Sequence, residues 1–272
     1  MKVRKWLLVA AAMICLEGII LTGMFFILPG GKVYGEMEYR AGDGVVAADD
    51  CPEDEGKTKN VNDQVENGKK REKKAQNIYE ENKEVLVLVN ADHKLGKDYD
   101  PSLRSICGGR LQASERMYRS LVDMLAAASD EGYQYWIASV WRSREKQQKL
   151  VDEDVRRLMD QGMTRKRALA ETYKETMPAG HSEHETGLAL DILCSENMQM
   201  DQSQKEEPGN KWLCKNSWRY GFVLRYPEEK EKITGIRHEP WHFRYVGKKA
   251  AAYMHENNLA LEEFWDRLDE ML

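Results

Sequence analysis

The sequence holds no CxxC pair and no grouping of cysteine with histidine at the spacing of a structural zinc knuckle. Its five cysteines, Cys15, Cys51, Cys107, Cys194 and Cys214, are scattered through 272 residues, which argues against a thiolate metal site. It also lacks a basic stripe with interleaved aromatics. The 41 Lys and Arg are dispersed among 46 Asp and Glu for a net charge of −5, so no nucleic-acid partner is expected. No internal repeat is visible, and a single mixed α+β domain is the simplest architecture.

What is present falls into three regions. Residues 1–29 open with Lys2, Arg4 and Lys5 and continue as an apolar run from Trp6 to Pro29, interrupted by one charge, Glu17. The run is long enough to cross a bilayer as a helix, and the basic residues before it put everything after it outside the cytoplasm. No small-x-small cleavage site follows, which favours an uncleaved single-pass anchor over a signal peptide that would release a secreted protein. Residues 30–76 carry Gly30-Gly31, the acidic Glu53-Asp54-Glu55 and the basic Lys69-Lys70-Arg71. Too little apolar surface is present there to offset the entropy of ordering, and a disordered stalk is expected.

Residues 77–272 have a globular pattern. Glu84 to Val89 reads as a short buried strand, and Ser114 to Asp130 as a helix with Met117, Leu121, Met124 and Leu125 on one face. Tyr133 to Val140 reads as a second strand and Arg144 to Thr176 as a further helical region. In an exported domain Cys194 and Cys214 either bridge or remain free buried thiols, and spacing does not choose between them.

The chemistry concentrates in two segments. In Ser182-Glu183-His184-Glu185-Thr186-Gly187-Leu188-Ala189-Leu190-Asp191 a histidine and an aspartate flank small residues at alternate positions. On a strand from Gly187 to Leu193, Gly187, Ala189 and Asp191 share one face and Leu188, Leu190 and Ile192 the other. The nearly bare face suits a pocket floor that a metal and a peptide can approach. The later segment Arg237-His238-Glu239-Pro240-Trp241-His242 adds an imidazole and a carboxylate. His184, Asp191 and His242 form an N/O/N ligand set, and catalytic zinc takes three protein ligands with one position left open. Glu239 is then the candidate general base. On a regular strand it would face away from His242, so an irregular backbone at Pro240 is expected.

With SxHxxGxAxD and the downstream EPWH both complete, residues 77–265 resemble the VanY-type D-alanyl-D-alanine carboxypeptidase family. The resemblance implies one Zn2+ per chain held by His184, Asp191 and His242, with Glu239 as catalytic base. It further implies that Arg142, in Trp141-Arg142-Ser143, steadies the scissile carbonyl, and that Ser182 and Gln147 contact the C-terminal end of the substrate. Val140 and Trp141 stand where the family has Gly and Tyr. The implied fold is one zinc-peptidase domain with a small antiparallel sheet carrying the metal and helices around it. The implied partner is a peptidoglycan stem peptide, from which the terminal D-alanine is removed. Action as an L,D-carboxypeptidase on a tetrapeptide stem, or a non-catalytic zinc-containing wall-binding module, are the alternatives.

Overall fold

The computed structural model describes residues 61–269. The expected anchor over residues 1–29 and the stalk as far as residue 60 lie outside the described residues, as do Cys15 and Cys51. Among the described residues no helix is long and apolar enough to cross a membrane.

In chain order the elements are helix α1 (Val61–Asn82), strands β1 (Leu103–Ile106) and β2 (Leu111–Ser114), helix α2 (Glu115–Asp130), strand β3 (Tyr135–Ser139), and helices α3 (Arg144–Asp160) and α4 (Arg165–Thr172). Strand β4 (Ala189–Cys194), helix α5 (Pro208–Asn216), strand β5 (Phe222–Leu224), the single turn α6 (Glu231–Thr234) and strand β6 (His242–Tyr245) follow. Helices α7 (Lys248–Glu256) and α8 (Leu261–Asp269) end the described chain. The domain is α+β. β1 and β2 form a hairpin, and the other strands form an antiparallel sheet in the order β3-β4-β6-β5.

The alternation expected around Asp191 is what holds that sheet in place. Leu188, Leu190 and Ile192 pack with Met117, Leu121 and Met124 of α2 and with Phe222 and Phe243, forming the main core. All six residues of β4 are buried, as befits an inner strand covered on both faces. α3 and α4 pack on each other through Val151, Val155, Leu158 and Ala168. Their separation into two helices follows from Gly162, whose φ of 94° ends α3 in a conformation other residues rarely adopt. Ser143 starts α3, its Oγ accepting a hydrogen bond from Lys146 N at 3.3 Å.

Two expectations need correction. The stretch read as stalk does not run to residue 76, because α1 already begins at Val61. Its Ala75 and Ile78, three residues apart on one face, are buried with Ala250, Leu261 and Phe264 of α7 and α8. That contact docks a helix otherwise rich in Lys and Glu, which are good helix formers. Glu84 to Val89 is buried in part but forms no strand. Its carbonyls are served by side chains instead: Arg244 Nη2 donates to Val85 O (2.9 Å) and Val87 O (2.8 Å), and Trp265 Nε1 donates to Leu86 O (2.9 Å). A buried backbone needs partners but not necessarily another strand. Cys107, Cys194 and Cys214 are free thiols, so the bridge left open above is not formed.

Candidate active site

Sheet register brings the distant segments together. Asp191 of β4 lies directly opposite His242, the first residue of β6, and opposite Ser139 at the end of β3 on its other side. Directly opposed side chains on antiparallel strands start about 5 Å apart. His184 enters from a 3-10 turn, Glu183–Thr186, closed by Gly187 at φ 69°. A side chain at Gly187 would also meet Leu103 Cδ2 at 3.0 Å and Ser114 N at 3.1 Å, so the glycine of this motif is required twice over. The turn is tied to the chain after β3, with Arg142 N donating to His184 O at 3.1 Å. At the other segment Glu239-Pro240-Trp241-His242 forms a turn in which His242 N donates to Glu239 O at 3.1 Å. This is the irregularity expected at Pro240, and it puts Glu239 Oε2 3.6 Å from His242 Nδ1.

One ligand atom from each of His184, Asp191 and His242 lies within 4.8 Å of the others, and all three residues are buried. His184 Nδ1 is 2.6 Å from Val140 O. A carbonyl oxygen only accepts, so Nδ1 carries the proton and Nε2 of the neutral ring is bare. Burial lowers the His184 pKa, with Arg142 and His242 pushing the same way against Asp191. That bare Nε2 sits 3.2 Å from Asp191 Oδ2, while Asp191 Oδ1 is 3.2 Å from His242 Nδ1. Burial opposes ionisation of Asp191, yet the two imidazoles, when protonated in acid, outweigh it and hold its carboxyl well below the usual carboxylate range. Two acceptors, His184 Nε2 and a carboxylate oxygen, therefore face each other at a separation that repels unless a cation lies among them.

Burial lifts the Glu239 carboxyl to about 8. For His242 burial pulls down, but hydrogen bonding to Asp191 and Glu183 prevails and the ring is raised to about 9. A divalent cation among these donors would displace the His242 proton, since coordination needs a bare nitrogen. Arg142 is partly buried near Asp191, its Nη2 3.8 Å from Asp191 Oδ2. Its Nη1 donates to Gln147 Oε1 at 2.7 Å and its Nη2 to Ser139 Oγ at 3.1 Å. Arg142 Nε is buried without a hydrogen-bond acceptor among the described residues.

Of the residues singled out in the sequence, His184, Asp191, His242, Glu239 and Arg142 thus converge. Gln147 stands with them in another capacity: its amide is spent on Arg142 at one end and on Met177 O (2.5 Å) at the other. Ser182 is buried immediately before the 3-10 turn. His181 and His238 hold backbone oxygens, those of Asn90 (2.8 Å) and Tyr226 (2.9 Å). Sequence reasoning passed over Ser139, Tyr226, whose ring centroid lies 4.9 Å from that of His242, and Glu183. Only Glu183 carried a signal, as an acidic residue inside the histidine motif.

The sequence family described as VanY, D-alanyl-D-alanine carboxypeptidase, matches residues 110–248, about half of the chain. Over 182 residues the chain is 38% identical to a D-alanyl-D-alanine carboxypeptidase of Enterococcus faecalis, a match taking in 66% of this chain and 65% of that relative. The chain therefore spans slightly less than two thirds of that relative's length. Among solved structures it is similar to the vancomycin resistance D,D-pentapeptidase VanY in complex with Zn(II), at 36% identity and a TM-score of 0.61, covering 67% of this chain and 99% of that one. It is also similar to the LD-carboxypeptidase LdcB, at 31% identity and a TM-score of 0.57, covering 66% of this chain and 85% of that one.

Proposed function

This chain belongs to the VanY family of D-alanyl-D-alanine carboxypeptidases, and from that membership and the geometry of the site we propose that it is a zinc-dependent carboxypeptidase releasing the terminal D-alanine of peptidoglycan stem peptides. The observation that carries the reading is the repulsive contact of His184 Nε2 with Asp191 Oδ2 at 3.2 Å, completed by His242 Nδ1 on the other carboxylate oxygen. That N/O/N donor set fits zinc, and a relative of the same fold is a D,D-pentapeptidase with Zn(II). His184, Asp191 and His242 would hold the ion. Bound there, zinc supplies a Lewis acid that polarises the scissile carbonyl and makes an attacking water acidic near neutral pH.

The remaining work falls to the chain's own groups. Glu239, anchored by its N–H on Tyr226 O at 3.1 Å, takes the proton of the attacking water on Oε2 and passes it to the leaving amine of D-alanine. Arg142 offers its unpaired Nε–H to the oxyanion or to the terminal carboxylate, with Gln147 and Ser139 bracing the guanidinium. Gln147 then acts on the substrate through Arg142, and Ser182 is left to meet the substrate's C-terminal end. Losing a single fixed donor costs about 3 kcal/mol at the transition state. Arg142→Ala is thus expected to lower kcat/KM for D-alanine release by about a hundredfold or more with zinc content unchanged, and a loss below about threefold would remove the arginine from the reaction.

Incubation of the full chain with a synthetic pentapeptide and a tetrapeptide, with and without chelator, tests the proposal. D-Alanine released from the pentapeptide, and abolished by chelation, is expected. Release from the tetrapeptide alone would instead favour L,D-carboxypeptidase action, the reading that the likeness to LdcB supports. Zinc uptake without release from either peptide would leave a wall-binding module.

The basic residues before the apolar run of residues 6–29 support a single-pass anchor, a stalk up to the start of α1, and a catalytic domain outside the cytoplasm. Protease treatment of intact cells that left the domain uncut would refute that placement.

A further inference from the structure

Between the metal-ligand motif and the end of the chain runs a buried chain of charges that the catalytic assignment does not use. Glu183 Oε1 accepts from Arg225 Nε and from Arg244 Nη1, each at 2.8 Å, and all three side chains are wholly buried. Arg225 is held in turn by Glu262 of α8, through Nη1 at 2.8 Å and Nη2 at 2.6 Å. Arg244 spends its other nitrogens on Val85 O, Val87 O and Tyr245 O. Two guanidinium groups thus clamp one oxygen of Glu183, and its orientation is set.

The other oxygen is left over. Glu183 Oε2 and His242 Nε2 are both buried, and neither has a hydrogen-bond partner among the described residues. They face each other at 3.4 Å, a few tenths of an ångström beyond a good N–H···O bond. A carboxylate that is already paired with two arginines stays ionised and can only accept. One arrangement satisfies both atoms: the His242 proton on Nε2, directed at Glu183.

We propose that Glu183 is a positioning residue that fixes His242 as its Nε2–H tautomer, leaving Nδ1 bare for the metal beside Asp191. The proposal rests on the metal reading given above. The competing account makes Glu183 only the counter-charge of two buried arginines. The two part company at Glu183→Gln. The glutamine carbonyl must face the guanidinium donors, so its amide N–H would face His242 Nε2, which would then have to accept. The proton would move to Nδ1, the nitrogen that zinc requires. Partners behind a ligating histidine typically contribute about 10- to 100-fold in metal affinity.

Zinc affinity of the full chain is to be measured by competition with a chromophoric chelator, alongside thermal unfolding, for wild type, Glu183→Gln and Glu262→Gln. The last weakens the same charge chain through Arg225 without touching His242. We expect Glu183→Gln to bind zinc about 10- to 100-fold more weakly and Glu262→Gln to lower the unfolding temperature while binding zinc as wild type does. Because Glu183→Gln can fail to fold, the zinc-loaded wild type is also to be read by long-range 1H–15N correlation of 15N-histidine, where His242 is expected to show a proton on Nε2. Equal affinity in a folded Glu183→Gln, or a proton on Nδ1 of His242 in the wild type, would overturn the proposal and leave the metal site standing. Wild type that takes up no zinc overturns the site itself, and this role with it.

Discussion

Glu239→Gln is expected to release D-alanine about a thousandfold more slowly than wild type while retaining one zinc per chain, within the 10²–10⁴ range that a positioned general base contributes. The carboxylate lies 3.6 Å from His242 Nδ1 on the turn made by Pro240, close enough to serve the same reacting centre without being one of the three converging ligands. Glutamine keeps the size and loses the ability to take a proton. Quantified D-alanine together with metal analysis of the same sample checks the claim, and a variant that has lost its zinc would recast Glu239 as a ligand.

The same substitution has a signature in metal-free protein. The folded carboxyl is raised from its usual 4.5 to about 8 by burial. An acid whose folded pKa is raised contributes stability that is fully present below pH 4.5 and is lost as pH climbs through 8. One pKa unit corresponds to about 1.4 kcal/mol, so the loss is on the order of a few kcal/mol. Glutamine has no such loss. Relative to wild type, metal-free Glu239→Gln should therefore gain stability between pH 5 and pH 9, as read by denaturant unfolding at the two pH values. A difference that stays flat across that interval would contradict the burial argument.

Asp191→Asn is expected to have the other large effect, lowering zinc affinity by at least a thousandfold and D-alanine release to the level of chelated enzyme. Asp191 is the anionic member of the ligand set, and its two oxygens reach both imidazoles at 3.2 Å. An amide brings no charge and only one accepting atom. In the metal-free state the folded pKa of Asp191 is depressed, against burial, by the two imidazoles in their protonated form, which His242, raised to about 9, keeps at neutral pH. A depressed acid contributes stability above its unfolded pKa, which is lost as pH falls. The asparagine variant should therefore be less stable than wild type at neutral pH and approach it in acid. Metal analysis and unfolding at two pH values test both halves, and an Asp191→Asn protein that bound zinc as wild type does would move the metal elsewhere.

The site was legible in the sequence because its parts are local. A histidine turn, a glycine without tolerance for a side chain, an alternating strand and a proline turn each leave a short pattern, and sheet register then joins them. Arginines whose partners lie far along the chain leave none. Arg225, just after β5, and Arg244, in β6, are ordinary polar positions in the sequence, and their burial makes sense only beside Glu183 and Glu262, some 40 to 60 residues away. The missing strand at Glu84 to Val89 has the same origin, since an arginine and a tryptophan from the far end of the domain take the place of a neighbouring strand. The early start of α1 escaped notice because composition reports the mean character of a segment, whereas two buried residues, Ala75 and Ile78, dock the helix.

The pairing of Arg225 with Glu262 has a consequence for the order in which the domain comes into being. During synthesis all three proposed metal ligands are already on the growing chain by residue 242, but the carboxylate that holds Arg225 arrives only with α8. A nascent domain lacking that helix would carry a guanidinium with half its partners missing directly behind the histidine motif, a fault costing several kcal/mol. The charge chain behind Glu183 is therefore expected to be complete only once α8 has emerged and docked.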